Sequence, residues 1–442
     1  MGAQLILGLS ILVGLHELGH LLTAKLFGMR VEQYYIGFPP KITGFRYGET
    51  EYNLGMIPLG GFVKISGMVD ESLDTANLSE EPEPWEFRAK PAWQRLIVMM
   101  GGIIVNVITG IAIFMLLNFY YGDTYVPREE VVKNGIVAYD LGQEIGLQTG
   151  DKVMEINGKP YEKLNDLYGA DVLLANKSYY TVDRDGQTLE VAIPRGFLDK
   201  FSERDAAGKY IDIRRPFAVG QVQAGSPADD GGLQEGDRIV SINGQPVQYY
   251  DQFEEIKQEN KGKAVTLEVM RPDATSAESA TGTPVDLTIE VGNDGIMGFG
   301  VKPLLDVERT DYTFAESIPK GVADAFNVVW VNIQGIGKIF SGEVSASNSL
   351  SGPIGIAQIF GGTWEWQRFW YVTGLLSMVL AFMNFLPIPA LDGGHVVFLT
   401  YEIVSGRKPS DKFLEGAQKV GMVLLLSLMV FAVFNDIFKT FF

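Results

Sequence analysis

The chain has 442 residues, 46% of them hydrophobic, a formal net charge of −18, three histidines and no cysteine. A slightly positive mean hydropathy is too apolar for a fully soluble protein, while 20% charged residues is too many for a pure membrane bundle, so membrane helices joined to a solvated module are expected. The acidity, with no Lys/Arg cluster, excludes nucleic-acid binding, and the lack of cysteine excludes disulfides and thiolate sites, leaving His, Asp and Glu as the ligands open to any metal.

The first candidate span runs from about Gly2 to Phe27, and His16-Glu17-Leu18-Gly19-His20 interrupts it. Residues 1–10 carry no Lys or Arg, and no small-residue cleavage pattern follows, so this helix is expected to persist rather than be removed as a signal peptide. Residues four apart share one helical face, so His16 and His20 can offer imidazole nitrogens to one ion, with Glu17 beside it toward a water. With only three histidines in the chain, the expected number of chance H-E-x-x-H matches is on the order of one in a thousand. A polar trio in an apolar span also costs several kcal/mol in total unless a function repays it. If the helix enters the bilayer at Gly2, His16 lies roughly 21 Å along a hydrocarbon layer of about 30 Å. That depth is the half reached from the far end of the helix, and hydrolysis there needs a polar recess for water.

Between the first two spans, Phe45 to Met68 is glycine-rich and β-like yet hydrophobic, and includes Gly60, Gly61 and Phe62. Residues 45–65 are expected to form a hairpin, either re-entrant and lining a water-filled cavity or an ordinary cytoplasmic one. The second span, Leu96 to Tyr121, has no charged residue. Downstream, Gln148 to Pro160 returns as Gln234 to Pro246, each copy reading as a tight turn, an alternating strand and an Asn-Gly hairpin turn. With Ile145-Gly146-Leu147 and Gly225-Ser226-Pro227-Ala228 upstream, the pattern resembles the PDZ family, predicting one PDZ-like domain over 127–213 and another over 214–305. Such modules add an extended peptide as a strand, so extracytoplasmic peptide or protein tails are expected partners; a mere spacer is the alternative. The first copy diverges more from the pattern.

From 313 to 341 apolar residues recur at steps of three, four and seven, predicting an amphipathic helix on the membrane surface or packed on the bundle. A third span begins near Phe369 and ends at Pro387-Ile388-Pro389, and a fourth covers about Val420 to Phe438; residues 366–442 thus hold the last two of four transmembrane helices, and 1–121 the first two. Lys25, Arg30 and Lys41 in the first link, and Arg407, Lys408, Lys412 and Lys419 in the last, place both short links in the cytoplasm and the long middle segment on the other side.

A catalytic zinc takes three protein ligands and a water. Asp392, the only acid between Glu365 and Glu402, follows the proline break in Asn384 to Gly394 and is the candidate third ligand, with His395 as rival. At this point the sequence resembles the site-2 protease family of intramembrane zinc metalloproteases. The H-E-x-x-H helix, Pro58-Leu59-Gly60-Gly61, the tandem repeat, Ser351-Gly352-Pro353-Ile354-Gly355 and Asn384 to Gly394 carry the resemblance over nearly the whole chain. It implies a polytopic α-helical membrane protein with a membrane-associated β-hairpin and two inserted PDZ-like domains, in a bacterial inner membrane with those domains periplasmic. It also implies a Zn2+ site of His16, His20 and Asp392, Glu17 as catalytic acid/base, and Asn384, Gly60, Gly61 and Phe62 engaging substrate. The implied substrates are single-span membrane proteins, such as anti-sigma factors or remnant signal peptides, cut within the lipid bilayer after the PDZ pair has screened out bulky external domains. The alternative from another class is a non-catalytic PDZ membrane scaffold, against which the intact Glu17, His16, His20 and Asp392 set counts. A transporter would need more intramembrane carboxylates than these spans offer.

Overall fold

The computed structural model describes residues 1–68, 81–175, 177–201, 210–272 and 282–441. The chain divides into two compact units, Met1–Asp123 with Thr310–Phe442, and Thr124–Arg309. Parts of the two intervals expected to be PDZ-like, 202–209 and 273–281, lie outside the described residues.

In the first unit, helix α1 spans Gly2–Leu26, free of proline and rich in leucine, which lets an unbroken helix form. It stops where Gly28 enters the left-handed region, φ +63°. There the Gly28 N–H donates to Lys25 O at 3.0 Å and the Met29 N–H to Ala24 O at 2.9 Å, closing the end as a Schellman cap. Strands β1, Val31–Tyr47, and β2, Thr50–Ile65, turn at Gly48, also at positive φ. Helix α2 follows at Ala92–Tyr121. After the second unit come helices Phe314–Phe340, Pro353–Ile359, Trp366–Phe385, Asp392–Ser405 and Asp411–Phe441.

Four helices are long and apolar enough to cross a membrane: α1, α2, Trp366–Phe385 and the stretch Lys412–Lys439. The last of these exposes Val420, Val423, Val430 and Phe434 by at least 64% each, an apolar outer surface suited to lipid rather than water. Helix α1 crosses α2 where Gly19 meets Gly101. A side chain added at Gly19 would run into the carbonyl of Gly101, and one at Gly101 would lie 2.6 Å from the carbonyl oxygen of Gly19. Only glycine permits that backbone-to-backbone approach.

The β element begins at Val31, earlier than the expected residue 45, and its register is more complex than a single hairpin. Tyr47 back to Thr43 pair with Thr50 to Leu54, whereas Gln33 to Ile36 pair both with Glu51 to Leu54 and with Lys64 to Gly61. The chain therefore folds back on itself to make four adjacent segments, with Gly61 to Lys64 at one edge. Among the described residues no other strand pairs with that edge.

The second unit holds two separate cores. One gathers Val131, Val153, Leu167, Tyr180, Val182 and Ile213; the other gathers Phe217, Ile242, Phe253, Leu267, Val269 and Ile289. The repeated sequence corresponds to repeated structure. Strands Lys152–Ile156 and Arg238–Ile242 each end at an Asn-Gly turn, with Asn157 at φ +53° and Asn243 at φ +52°, as a tight hairpin demands. The two asparagine side chains accept from the N–H groups of Tyr179 and Thr266, both at 2.9 Å. Each copy also buries its aspartate under a forked arginine: Arg184 donates to both oxygens of Asp151 at 2.7 Å, and Arg271 to both of Asp237 at 2.9 and 2.7 Å. The copies differ next to these strands. The second carries a ten-residue helix, Tyr250–Glu259, where the first has only the short turns Leu164–Tyr168 and Ala170–Leu173.

Candidate metal centre

One turn of α1 separates His16 from His20, so both rings leave the same face. Asp392 arrives from another part of the unit. The helix Trp366–Phe385 breaks before Pro387 and Pro389, and a new helix starts at Asp392. The bend is held tight by two glycines: a side chain at Gly394 would lie 2.6 Å from Ile388 O, and one at Gly393 would strike the carbonyl of Leu386. Asp392 thereby occupies the first turn of a helix, where backbone N–H groups favour a carboxylate.

The three side chains converge. Asp392 Oδ2 lies 3.1 Å from His16 Nε2 and 3.3 Å from His20 Nε2, and the two Nε2 atoms are 3.3 Å apart. A tetrahedral zinc with ligand bonds near 2.05 Å has edges of about 3.3 Å, so the spacing fits three ligands of one such ion. Among the described residues, His16, His20 and Asp392 are the group able to hold a metal. Asp392 Oδ2 is buried and, among the described residues, has no hydrogen-bond partner besides the two imidazole nitrogens facing it, an arrangement costly for a carboxylate oxygen if both nitrogens are unprotonated. His395, the rival ligand, lines the same cleft but is not part of this group.

The cleft has a volume of about 640 Å³ and brings Glu17, Asn384 and the strand residues Gly60, Gly61 and Phe62 around the three side chains. Asn384 Nδ2 comes within 3.4 Å of His16 Nε2, and the Val63 backbone hydrogen-bonds the Glu17 carboxylate. A side chain at Gly61 would meet Glu17 Cγ at 3.2 Å and Tyr35 O at 2.5 Å, so glycine there lets the strand edge lie against α1. All eight residues singled out from the sequence meet in this one cleft.

Helix α2 contributes three features that sequence reasoning passed over. His20 Nδ1 lies 2.8 Å from Val98 O, which fixes its proton on Nδ1 and frees Nε2 for a metal. Gly102 leaves room for both rings, since a side chain there would lie 2.5 Å from His16 Cε1 and 2.6 Å from His20 Nε2. Asn106 reaches His16 Nδ1 at 3.2 Å. Positions 98, 102 and 106 stand at successive steps of four, a single stripe facing the His16/His20 stripe of α1; that spacing was the available signal.

Peptidase family M50 matches the chain over residues 4–428. The chain is 30% identical over 459 residues to the regulator of sigma-E protease RseP of Escherichia coli K12, covering 98% of this chain and 97% of that protein. It is 31% identical over 450 residues to RseP of Salmonella typhimurium, covering 98% and 97%. With the regulator of sigma E protease of Haemophilus influenzae it shares 32% identity over 461 residues, covering 98% of each.

Proposed function

We propose, for a chain that belongs to peptidase family M50 and is a zinc metalloprotease, that it hydrolyses peptide bonds within the transmembrane segments of single-span substrates. The observation that carries this reading is the convergence of His16, His20 and Asp392 within a unit built around four apolar helices. The three residues hold the ion; when bound, zinc supplies the Lewis acid that polarises the scissile carbonyl and acidifies water.

The remaining steps belong to the chain's own groups. A helical substrate hides its carbonyls in internal hydrogen bonds, so it has to unwind before it can be cut. The edge at Gly61 to Val63, with which no other strand pairs among the described residues, offers backbone partners to the unwound segment, which would bind by strand addition. Asn384, beside His16, donates to the substrate backbone and orients it. Glu17 takes a proton from the attacking water and passes it to the leaving nitrogen. The second unit acts in the periplasm as a pair of PDZ-like modules that admit substrates already shortened outside the inner membrane, with anti-sigma-factor-like proteins and remnant signal peptides as the substrate class. The relatives named as regulators of sigma E support that class.

The test is cleavage of a purified single-span reporter in liposomes, with fragments mapped by mass spectrometry. The reading expects a cut inside the apolar segment, abolished by chelation and restored by zinc, and slower when the reporter carries a bulky folded external domain. Glu17→Gln should retain zinc and lose about 10²–10⁴-fold in rate. Full activity in that variant, or a cut outside the apolar segment, refutes the proposal.

A further inference from the structure

One polar side chain beside the centre is unexplained. Asn106 is fully buried in α2, its Oδ1 has no hydrogen-bond partner among the described residues, and its side-chain nitrogen sits 3.2 Å from His16 Nδ1. Its backbone oxygen is separately occupied, accepting from Ser377 Oγ at 2.8 Å, so the helix itself is satisfied and only the side chain lacks a purpose.

The ligand geometry supplies one. His16 faces Asp392 and His20 through Nε2, and an imidazole that ligates through Nε2 carries its proton on Nδ1. That proton needs an acceptor, and the fully buried Asn106 side chain stands beside it. The amide nitrogen of Asn106 is a donor and cannot serve, whereas its oxygen is an acceptor without a partner. Oxygen and nitrogen of an amide exchange places by a half-turn about χ2. With Oδ1 toward His16, the Nδ1–H gains the acceptor that His20 already has in Val98 O, at 2.8 Å.

Resting on the reading of His16, His20 and Asp392 as the zinc ligands, we propose that Asn106 is a positioning residue: its side-chain oxygen accepts from His16 Nδ1–H, fixes the tautomer and plane of that ligand, and so raises zinc affinity. Helix α2 then orients both histidines of α1, one through a backbone carbonyl and one through a side chain eight residues on. The two acceptors lie on opposite sides of Gly102, the position whose missing side chain admits the rings.

The experiment measures zinc affinity of the full-length protein in detergent by competition with a chromophoric chelator, using zinc alone as the probe. Asn106→Leu, similar in volume but without an acceptor, should bind zinc about 10–100-fold more weakly. Asn106→Asp, which keeps the acceptor, should bind within about threefold of the wild type or more tightly, since a carboxylate partner raises imidazole basicity. Thermal melting of the metal-free proteins should not separate Asn106→Leu from wild type; if that variant fails to fold, Asn106→Ala takes its place with the same expected loss. Wild-type affinity in the acceptor-less variant, alongside a collapse in His20→Ala, overturns the role of Asn106 and leaves the ligand set standing. Equal losses in the Leu and Asp variants overturn it too, by showing that shape rather than the acceptor matters. Wild-type affinity in His20→Ala would instead remove the ligand set on which the proposal rests.

Discussion

Gly102→Ala separates the requirements of the fold from those of the metal. The added methyl would lie 2.5 Å from His16 Cε1, 2.6 Å from His20 Nε2 and 2.7 Å from His16 Nδ1. To regain ordinary contact at 3.4 Å, the rings must retreat by about 0.8 Å, a clash relieved by moving side chains rather than backbone. The helix pair should survive, because alanine is the better helix former by about 1 kcal/mol. The centre should not, because ligand distances are tolerant to only about 0.2 Å, and a misplacement near 1 Å can cost about 10²-fold in rate, equivalent to about 2.7 kcal/mol of barrier. The assay is zinc content by elemental analysis together with kcat/KM on the single-span reporter. Gly335→Ala serves as control, since nothing lies within 4 Å of the added group there. The expected outcome is a folded Gly102→Ala protein with depleted zinc and activity down about 100-fold. Wild-type zinc content and activity within threefold would refute the reasoning.

Three further outcomes test other parts of the account. Asp392→Asn removes the anionic ligand and should lower zinc occupancy in elemental analysis, whereas His395→Ala should leave it unchanged; the reverse result means the third ligand is His395. Arg271→Leu strands Asp237, whose side chain is fully buried, and should destabilise the second module by about 3 kcal/mol, seen as faster hydrogen exchange in strands Arg238–Ile242 and Ala264–Pro272; unchanged exchange contradicts it. Asp436 accepts from the N–H groups of Gly352, Ile354 and Gly355 at 2.8–3.0 Å, tying the last helix to the start of helix Pro353–Ile359. Asp436→Asn turns one of those acceptors into a donor and should cost about 2–3 kcal/mol, read as a lower melting temperature in detergent.

The centre was legible because its chemistry is written in rare residues. Three histidines and one isolated acid leave few ways to assemble a ligand set, and the proline break marks where Asp392 starts a helix. What supports the centre was not legible. Asn106 and Gly102 lie in a span with no charged residue, where an amide and a glycine read as ordinary features of a membrane helix; their meaning appears only when the 98, 102, 106 stripe is set against 16 and 20. The β element was seen from residue 45 because Gly60, Gly61 and their neighbours mark it, but Val31 to Gly44 includes Pro39-Pro40 and no clean alternation, which argues against a strand in isolation. The Asn-Gly turns of the repeat were evident, yet Arg184 and Arg271 sit 33 and 34 residues beyond their aspartates, outside any local window. Their near-equal offset from the repeated Asp was the available clue. Asp436 looked like an acid near the end of a span, and its partners in Ser351 to Gly355 lie more than 80 residues away.

The most direct test of the account is an anomalous-scattering map at the zinc edge from crystals of the zinc-loaded protein. One peak is expected in the bundle, about 2.0–2.2 Å from Nε2 of His16, Nε2 of His20 and a carboxylate oxygen of Asp392. A peak bound to other residues, or none among these three in protein that cleaves its substrate, would contradict it.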